Sequence, residues 1–186
     1  MASEEPRAAG VSRILIDEDA IKRRTREMAT MLDAEYGDQF PLLIGVLNGA
    51  VTFMTDLMRA MTIPLEIDFM AVSSYGAATQ SSGVVRILKD LDREIEGRRV
   101  VVVEDIVDSG LTLQYLLDVL QRRNPHDIRV VALLKKEKPE AADVAVDLIG
   151  FTIPNEFVIG YGLDYAGQYR NLPYVAVLDR RMYDPE

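Results

Sequence analysis

Residues 100–112, VVVVEDIVDSGLT, decide the fold of this chain. Valines 100–103 are β-branched and uniformly apolar, which predicts a central parallel strand that is buried on both faces. The acids Glu104 and Asp105 follow where we expect this strand to end, and a leucine-rich segment with helical spacing begins shortly afterwards. The polar residues between strand and helix therefore lie at the carboxyl end of a parallel strand, where open α/β sheets bind ligands.

The loop after the acid pair has the residue types of an anion-binding cradle. Gly110 permits backbone geometry that is closed to other residues, while Ser109 and Thr112 add hydroxyl donors beside the free N–H groups of a helix start. Carboxylates near such a cradle would repel a phosphate unless they accept sugar hydroxyls, hold Mg²⁺ or stabilise a developing cation. All three roles suit a phosphorylated sugar. The alternative is that the acids cap a Rossmann-like strand and the loop is only a polar connection.

The composition limits the size and the partners of the protein. With 186 residues and 48% hydrophobic content, we expect one domain spanning residues 1–186. A net charge of −9 and a pI near 4.7 argue against nucleic-acid and membrane partners, which would be repelled. The chain has no cysteine, which excludes thiolate sites and suits a cytoplasmic protein, and its one histidine, His126, lies in a polar connection. Residues 1–10 lack the apolar core of a signal peptide and are expected to form a flexible tail.

The rest of the chain alternates strand-like and helix-like segments, which predicts an α/β domain with a parallel sheet flanked by helices. Further strands are predicted at 42–47 and 128–134. A helix is expected to begin after the acids Asp17, Glu18 and Asp19 and to end at Gly37. A second helix, 51–61, carries an apolar stripe that is typical of a core or of a subunit interface. The residues of this stripe are Phe53, Met54, Leu57, Met58 and Met61.

Two segments depart from this alternation. Residues 73–83, SSYGAATQSSG, are too small and polar to pack a core, which predicts a mobile loop between two strands. This loop is either a lid over a site or a plain flexible hairpin. From residue 147 onwards the pattern changes to short strands and turns, and we expect a small hood formed mainly by residues 150–175. This is the most aromatic part of the chain, and its aromatic residues are either structural or a stacking surface for a flat heterocycle.

The motif EDIVDSGLT resembles the phosphoribosyl-diphosphate (PRPP) motif of the type I phosphoribosyltransferases. Four further features narrow the resemblance to hypoxanthine-guanine (6-oxopurine) phosphoribosyltransferases, over residues 14–178. They are LLIGVLNGA, Lys136 at a strand end, the pair Ser74 and Tyr75, and IPNEFVIGYGLDY followed by YRNLPY. The resemblance implies transfer of the phosphoribosyl group from PRPP to hypoxanthine or guanine, which yields IMP or GMP and pyrophosphate.

Two kinds of alternative stay open at this point. One is a phosphoribosyltransferase for xanthine, adenine or a pyrimidine. The other is a PRPP-sensing regulatory protein of the same fold that binds nucleic acid. The absence of a basic patch and the presence of Lys136, Asp164 and Arg170 count against the regulator.

The resemblance also implies roles for individual residues. Asp108 would exchange a proton with the purine ring, Lys136 would donate to its 6-oxo group, and Phe157 would stack on it. The ribose-phosphate site would comprise Glu104, Asp105, Asp108, Ser109, Gly110, Leu111 and Thr112. The pyrophosphate site would comprise Leu47, Asn48, Gly49 and Arg170, the lid Ser74 and Tyr75, and the purine site Lys136, Phe157, Val158 and Asp164. Mg²⁺ would be held by Glu104, Asp105 and Asp164, and family habit implies a homodimer or homotetramer.

The pyrophosphate loop carries one departure from the family pattern. Many relatives have Lys or Arg where this chain has Asn48, so the resemblance leaves the strength of pyrophosphate binding open. The family uses this loop largely through backbone N–H groups, which Asn48 and Gly49 retain. The resemblance further implies a cis peptide bond between Leu47 and Asn48.

Overall fold

The computed structural model of the protein describes residues 8–75 and 84–184. The elements in chain order are β1 (Val11–Ile16), α1 (Glu18–Tyr36), β2 (Leu42–Leu47), α2 (Val51–Ala60), β3 (Glu66–Tyr75), β4 (Val84–Lys89), β5 (Arg99–Val107), α3 (Leu111–Gln121), β6 (Asp127–Lys136), β7 (Leu148–Ile153), β8 (Val158–Ile159), β9 (Val175–Leu178) and a 3₁₀ turn (Arg180–Met182). No helix in these two ranges has the length and apolar character needed to cross a membrane.

Six strands form one sheet in the order β4-β3-β2-β5-β6-β7, with β5 near its centre. The neighbouring pairs from β3 to β7 are parallel, and β4 alone runs antiparallel to its neighbour β3. This architecture confirms the predicted α/β fold. The antiparallel pair also confirms that two strands flank the predicted loop. The loop was expected to begin at residue 73, but residues 73–75 are the last residues of β3 because they pair with β4. Residues 76–83 lie outside the described ranges. The lid itself therefore stays a prediction.

The valines of β5 alternate between two hydrophobic cores. Val101 and Val103 pack in a core with α1 and α2, whereas Val100 and Val102 pack in a core with α3. All four are fully buried, as the uniform apolar run predicted. Burying a valine side chain is worth about 1.5 kcal/mol or more, so this strand holds both helical layers to the sheet.

The central strand is longer than the sequence indicated. It extends to Val107 and so includes Glu104 and Asp105, because β6 continues to pair with it as far as Val107 opposite Lys135. The expectation that the strand ends at the acid pair was therefore wrong. The connection to α3 contains only residues 108–110, and Thr112 lies in the first turn of the helix.

The first two helices follow the sequence signals closely. The Asp17 carboxylate accepts a hydrogen bond from the Ala20 N–H at 2.7 Å, and Gly37 ends α1 with a φ of 56°. In α2 the stripe residues Phe53 and Leu57 are fully buried within the core of this chain. The stripe therefore belongs to the hydrophobic core of this chain. It no longer supports the prediction of a homodimer or homotetramer.

The hood is a three-stranded antiparallel sheet in the order β1-β9-β8. The expected hood boundaries, 150–175, need correction at both ends. Leu148–Ile153 pairs in parallel with β6 as an edge strand of the large sheet, and the N-terminal β1 pairs with β9. This pairing joins Arg13 to Val177, and a contact between such distant positions leaves no signal in the local sequence pattern.

Candidate active site

A cavity of about 310 Å³ opens at the carboxyl edge of the large sheet, between β2, β5 and the loops of the hood. Predicted site residues that line it are Leu47, Gly49, Glu104, Asp105, Asp108, Ser109, Gly110, Thr112, Asp164 and Arg170. Predicted residues absent from its described walls are Asn48, Leu111, Lys136, Phe157 and Val158. Ser74 and Tyr75 form the end of β3, and their side chains lie outside the described part of the chain.

The loop after β5 leads directly into the start of α3. Gly110 has a φ of 77°, which non-glycine residues rarely adopt, and it caps the helix that begins at Leu111. The chain after β6 packs against this loop, since the Ala142 N–H donates to the Ser109 carbonyl at 2.8 Å. The first N–H groups of an α-helix lack intrahelical partners, so they are available to an anion at this end of the cavity.

The two acids at the end of β5 are buried beside the cavity. Glu104 is only 7% exposed, and burial, together with the neighbouring Asp105 charge, raises its pKa well above the ordinary value. Burial also raises the pKa of Asp105 to about 6, although the Ile106 N–H and the Arg170 charge oppose the rise. A buried carboxylate gains most from hydrogen-bond donors or a cation, which favour its charged form. The pair can therefore receive sugar hydroxyls or a metal ion.

The turn after β2 lies directly against the acid pair. The Leu47-Asn48 peptide is cis, which confirms the expectation from the resemblance. A Cβ atom added at Gly49 would lie 1.6 Å from the Asp105 carboxylate, so only glycine allows this approach. On the other side, Gly162 has a φ of 99°, and a Cβ atom there would lie 2.2 Å from the Gly49 carbonyl oxygen. Sequence reasoning gave Gly162 no role, and its only signal was its place in GYGLDY.

Asp164 and Arg170 project from the hood loop into the same cavity. The Arg170 guanidinium lies 2.8 Å from the Asp164 carboxylate and donates to the Gly162 carbonyl oxygen at 2.6 Å. Asp164 also accepts from the Gly167 N–H at 2.8 Å. The resemblance gave these side chains separate roles, and in this structure they form an ion pair. A ligand with phosphate oxygens or a metal would therefore compete for both groups.

Asp108 forms ion pairs with two lysines, of which the sequence analysis named one. The Lys136 ammonium lies 2.9 Å from one carboxylate oxygen, and Lys138 pairs with the other. Burial raises the pKa of Asp108, but hydrogen bonds from Lys138 and Lys136 outweigh that effect and hold the pKa below its usual value. Sequence reasoning missed Lys138, whose only signal was its place in the run KKEK.

Phe157 directly precedes β8, and its ring lies in an aromatic cluster. The Tyr183 ring stacks on it with centroids 5.0 Å apart and planes 26° apart, and Tyr165 meets it edge-on at 5.7 Å. Phe157 is still 36% exposed, whereas the side chain of Val158 is buried. The Glu137 N–H donates to the Ile153 carbonyl at 2.9 Å, so the chain leading to Phe157 passes beside the end of β6.

A mostly parallel sheet with paired acids near the carboxyl end of its central strand, a glycine-capped helix start and a hood that faces that edge define the class of type I phosphoribosyltransferases. Residues 13–166 match the family described as "Phosphoribosyl transferase domain". The chain is 49% identical to the hypoxanthine-guanine phosphoribosyltransferase of Bacillus subtilis (strain 168), over 94% of this chain and 97% of that protein.

Solved structures agree with this class. A hypoxanthine phosphoribosyltransferase from Staphylococcus aureus has a TM-score of 0.90 and 39% identity, with 94% of this chain and 95% of that chain covered. A hypoxanthine phosphoribosyltransferase from Trypanosoma cruzi, in complex with the product IMP, has a TM-score of 0.88 and 38% identity, with 96% of this chain and 100% of that chain covered. The chain belongs to the hypoxanthine-guanine phosphoribosyltransferase family.

Proposed function

We propose that this protein transfers the 5-phosphoribosyl group of PRPP to hypoxanthine or guanine and forms IMP or GMP and pyrophosphate, a reaction of purine salvage. One observation carries the proposal. A single cavity is lined by the acid pair at the end of β5, the glycine-capped start of α3 and the ion pair of Asp164 with Arg170. Together these groups provide for a phosphate, a ribose and a diphosphate, which are the three parts of PRPP.

On this proposal the 5′-phosphate binds at the loop of residues 108–110 and the first turn of α3. Backbone N–H groups there and the hydroxyls of Ser109 and Thr112 would donate to its oxygens, and Leu111 would contribute its N–H. Glu104 and Asp105 would accept hydrogen bonds from the two ribose hydroxyls. Their raised pKa values support this role, because hydroxyl donors would offset the cost of keeping these carboxylates charged in a buried place.

The diphosphate would lie between the turn at residues 47–49 and Arg170. The backbone of Asn48 and Gly49 supplies N–H donors, and Arg170 supplies a guanidinium that can hold two phosphate oxygens at once. Arg170 would then exchange its contact with Asp164 for the diphosphate. As the bond from C1′ to the diphosphate breaks, Arg170 stabilises the negative charge on the leaving group.

A divalent cation, Mg²⁺, fits the oxygen donors around this position. No group of three or more His, Cys, Asp or Glu side chains in the described ranges is arranged to hold a metal without other ligands. Mg²⁺ commonly binds one or two carboxylates and completes its shell with water and substrate phosphates. Glu104 and Asp105 on one side and Asp164 on the other would serve as its protein ligands. Bound there, Mg²⁺ would neutralise part of the charge on the diphosphate.

The purine would bind between Lys136, Phe157 and the main chain of Val158. Lys136 can only donate hydrogen bonds, which suits a 6-oxo group and opposes the 6-amino group of adenine. Asp108 would accept the N7 proton of the base while N9 attacks C1′, so the N7–H bond breaks and an O–H bond forms. The low pKa of Asp108 supports this role, since the group must be ionised to accept the proton.

A base-specificity assay tests the function. The protein is incubated with PRPP, Mg²⁺ and one base at a time, and the nucleotide formed is measured. We expect hypoxanthine and guanine to react and adenine to be slower by about 10⁴-fold, because the 6-amino group of adenine is a donor and would face the Lys136 ammonium, which can only donate. Adenine as the best substrate would remove Lys136 from the purine site. Product from xanthine at the highest rate would favour the xanthine enzyme, and no product from any base would favour the PRPP-sensing regulator.

Two further expectations belong to the same proposal. The loop of residues 73–83, with Ser74 and Tyr75, would close over bound PRPP and keep water from the reacting sugar. Hydrogen exchange of the amides in residues 73–83 that slows when a PRPP analogue is added would support such closure, and unchanged exchange would contradict it. A homodimer or homotetramer is expected from family habit, and light scattering of the purified protein measures its mass.

A further inference from the structure

Lys138 stands out because it contacts the proposed proton acceptor from a segment that has no assigned role. This segment, residues 137–144, follows β6 and packs on the phosphate-binding loop through the Ala142 N–H and the Ser109 carbonyl, 2.8 Å apart. The side chain of Lys138 is 20% exposed, and its ammonium pairs with one oxygen of Asp108 while Lys136 pairs with the other. The carboxylate is therefore held from both sides.

The proposed function creates a conflict for Lys136. Its ammonium is the partner of Asp108 in this structure, and it would also donate to the purine 6-oxo group. When the base binds, its 6-oxo group accepts a hydrogen bond from Lys136 and weakens the ion pair of Lys136 with Asp108. The base also displaces water from Asp108. Both changes raise the pKa of the carboxyl group, since burial and the loss of a neighbouring cation disfavour the charged form. A protonated Asp108 would be unable to accept the N7 proton.

We propose that Lys138 is a positioning residue that keeps Asp108 ionised and oriented while Lys136 binds the purine. This inference rests on the proposed function. Lys138 reaches Asp108 from outside β6, so a base that binds Lys136 leaves this contact intact. Each carboxylate oxygen has two lone pairs, so Asp108 can keep its contact with Lys138 and still accept a hydrogen bond from the base.

Other charged groups line the same cavity as Asp108. Across the cavity from it, β5 contributes the acids Glu104 and Asp105, and the hood loop contributes Asp164 together with Arg170. Arg170 is already engaged by Asp164 at 2.8 Å. The shift in the pKa of Asp108 is caused by burial and by the two lysines. The two lysines are the cations that form ion pairs with it among residues 8–75 and 84–184.

The experiment compares Lys138→Met, which keeps the aliphatic stem but removes the charge, with Lys138→Arg, which keeps the charge. The control is Lys135→Met, which removes the same charge from a neighbouring position at the end of β6. The pH dependence of kcat/KM for hypoxanthine is measured at saturating PRPP and Mg²⁺. This profile reports the pKa values of essential groups before the base binds, and a shift seen only in Lys138→Met assigns the shifted limb to Asp108.

We expect the acid limb of Lys138→Met to move upward by about one pH unit, because a neighbouring opposite charge shifts a carboxyl pKa by about 1–3 units. Lys138→Arg should restore the wild-type limb, and Lys135→Met should leave it in place. A purely structural role for Lys138 would lower the overall rate without moving the limb. An unmoved limb in Lys138→Met therefore overturns the proposal.

A second measurement is independent of turnover. The ¹³C resonance of the Asp108 carboxyl carbon, assigned by comparison with Asp108→Asn, is titrated in the ligand-free protein. Its pKa should be higher in Lys138→Met than in the wild type or in Lys135→Met. Identical titration curves would overturn the proposal even if the enzyme is active. If the wild type forms no nucleotide, the proposed function fails, whereas this titration still decides whether Lys138 controls Asp108.

Discussion

The two sides of the cavity are built in different ways. The phosphate side consists of consecutive residues, from the end of β5 through the loop of residues 108–110 to the first turn of α3. The hood side depends on strand pairing between the two ends of the chain, with Arg13 of β1 opposite Val177 of β9. Its loop comes close to the turn after β2 at Gly162, which lies beside the Gly49 carbonyl oxygen.

This difference separates the groups that would bind the 5′-phosphate and ribose from those that would align the base and the diphosphate. The phosphate side is anchored in the centre of the sheet, where valines 100–103 are fully buried. The hood carries Asp164, Arg170 and Phe157, and its position relative to the sheet sets how these groups meet the substrate. Changes on the phosphate side should therefore remove chemistry. Changes in the hood away from Asp164 and Arg170 should alter the alignment of the base and leave binding of the 5′-phosphate and ribose largely intact.

The largest effect is expected for Asp108→Asn, on the phosphate side. An amide is unable to accept the N7 proton, so kcat should fall by about 10²-fold or more, which is the usual contribution of general acid–base catalysis. PRPP binding, measured by calorimetry, should be retained, because the N–H donors of the loop are unchanged. Thermal unfolding provides the control, since Lys136 and Lys138 lose a charged partner in this variant. Turnover close to the wild type would remove Asp108 from the mechanism.

An intermediate effect is expected for Gly162→Ala, at the contact between the two sides. A Cβ atom there would lie 2.2 Å from the Gly49 carbonyl oxygen, so the hood loop must move away from the sheet. We expect kcat/KM for the base to fall by about tenfold, because a displacement of about 1 Å can cost even more than that. The variant should also lose about 1–3 kcal/mol of unfolding free energy from backbone strain.

Gly97→Ala is the matched control for this variant. Gly97 has a φ of 67° but no neighbouring atom within 4 Å of an added Cβ, so it tests strain without a clash. Gly97→Ala should lose stability but keep its kcat/KM. Equal losses of kcat/KM in the two variants would contradict the idea that hood alignment depends on the contact of Gly162 with Gly49.

The phosphate side could be predicted from the sequence because the residues that define it are close together in the chain. A run of buried valines, two acids and a glycine before an amphipathic helix define one strand, one loop and one helix. The length of β5 was misjudged, because its last residues are held in the strand by pairing with β6 and their own composition gives no sign of it. The cis peptide before Asn48 followed from the resemblance, and composition or spacing alone would not have indicated it.

The hood could be predicted only in part, because its strands pair with residues that are distant in the sequence. Its aromatic and glycine-rich segment was recognised, yet β7 was assigned to it and β1 was not. Both errors concern which strand pairs with which, and pairing between distant residues is decided by the assembled core. The same reason explains why Lys138 and Gly162 were missed. Each acts through one contact with a residue that lies far away in the sequence.

The smallest effect is expected for Tyr183→Ala, at the outer edge of the hood. Tyr183 covers one face of the Phe157 ring, with centroids 5.0 Å apart, and on our proposal the purine stacks on the other face. Without this support Phe157 would sample other rotamers, so binding of the base would include the cost of ordering the ring. Stacked aromatic pairs are worth about 0.5–1.5 kcal/mol, which corresponds to an increase in KM of roughly two- to tenfold.

A comparison of two variants separates the contribution of the Tyr183 ring to base binding from that of its hydroxyl group. Tyr183→Phe keeps the stacking surface and should keep the wild-type KM for hypoxanthine, whereas Tyr183→Ala should raise it with little change in kcat. The KM for PRPP should be the same in both, because the phosphate side does not contact this ring pair in the proposed complex. A lower KM for the base in Tyr183→Ala would mean that Tyr183 occupies the face the purine needs, and the C-terminal turn would then compete with the substrate.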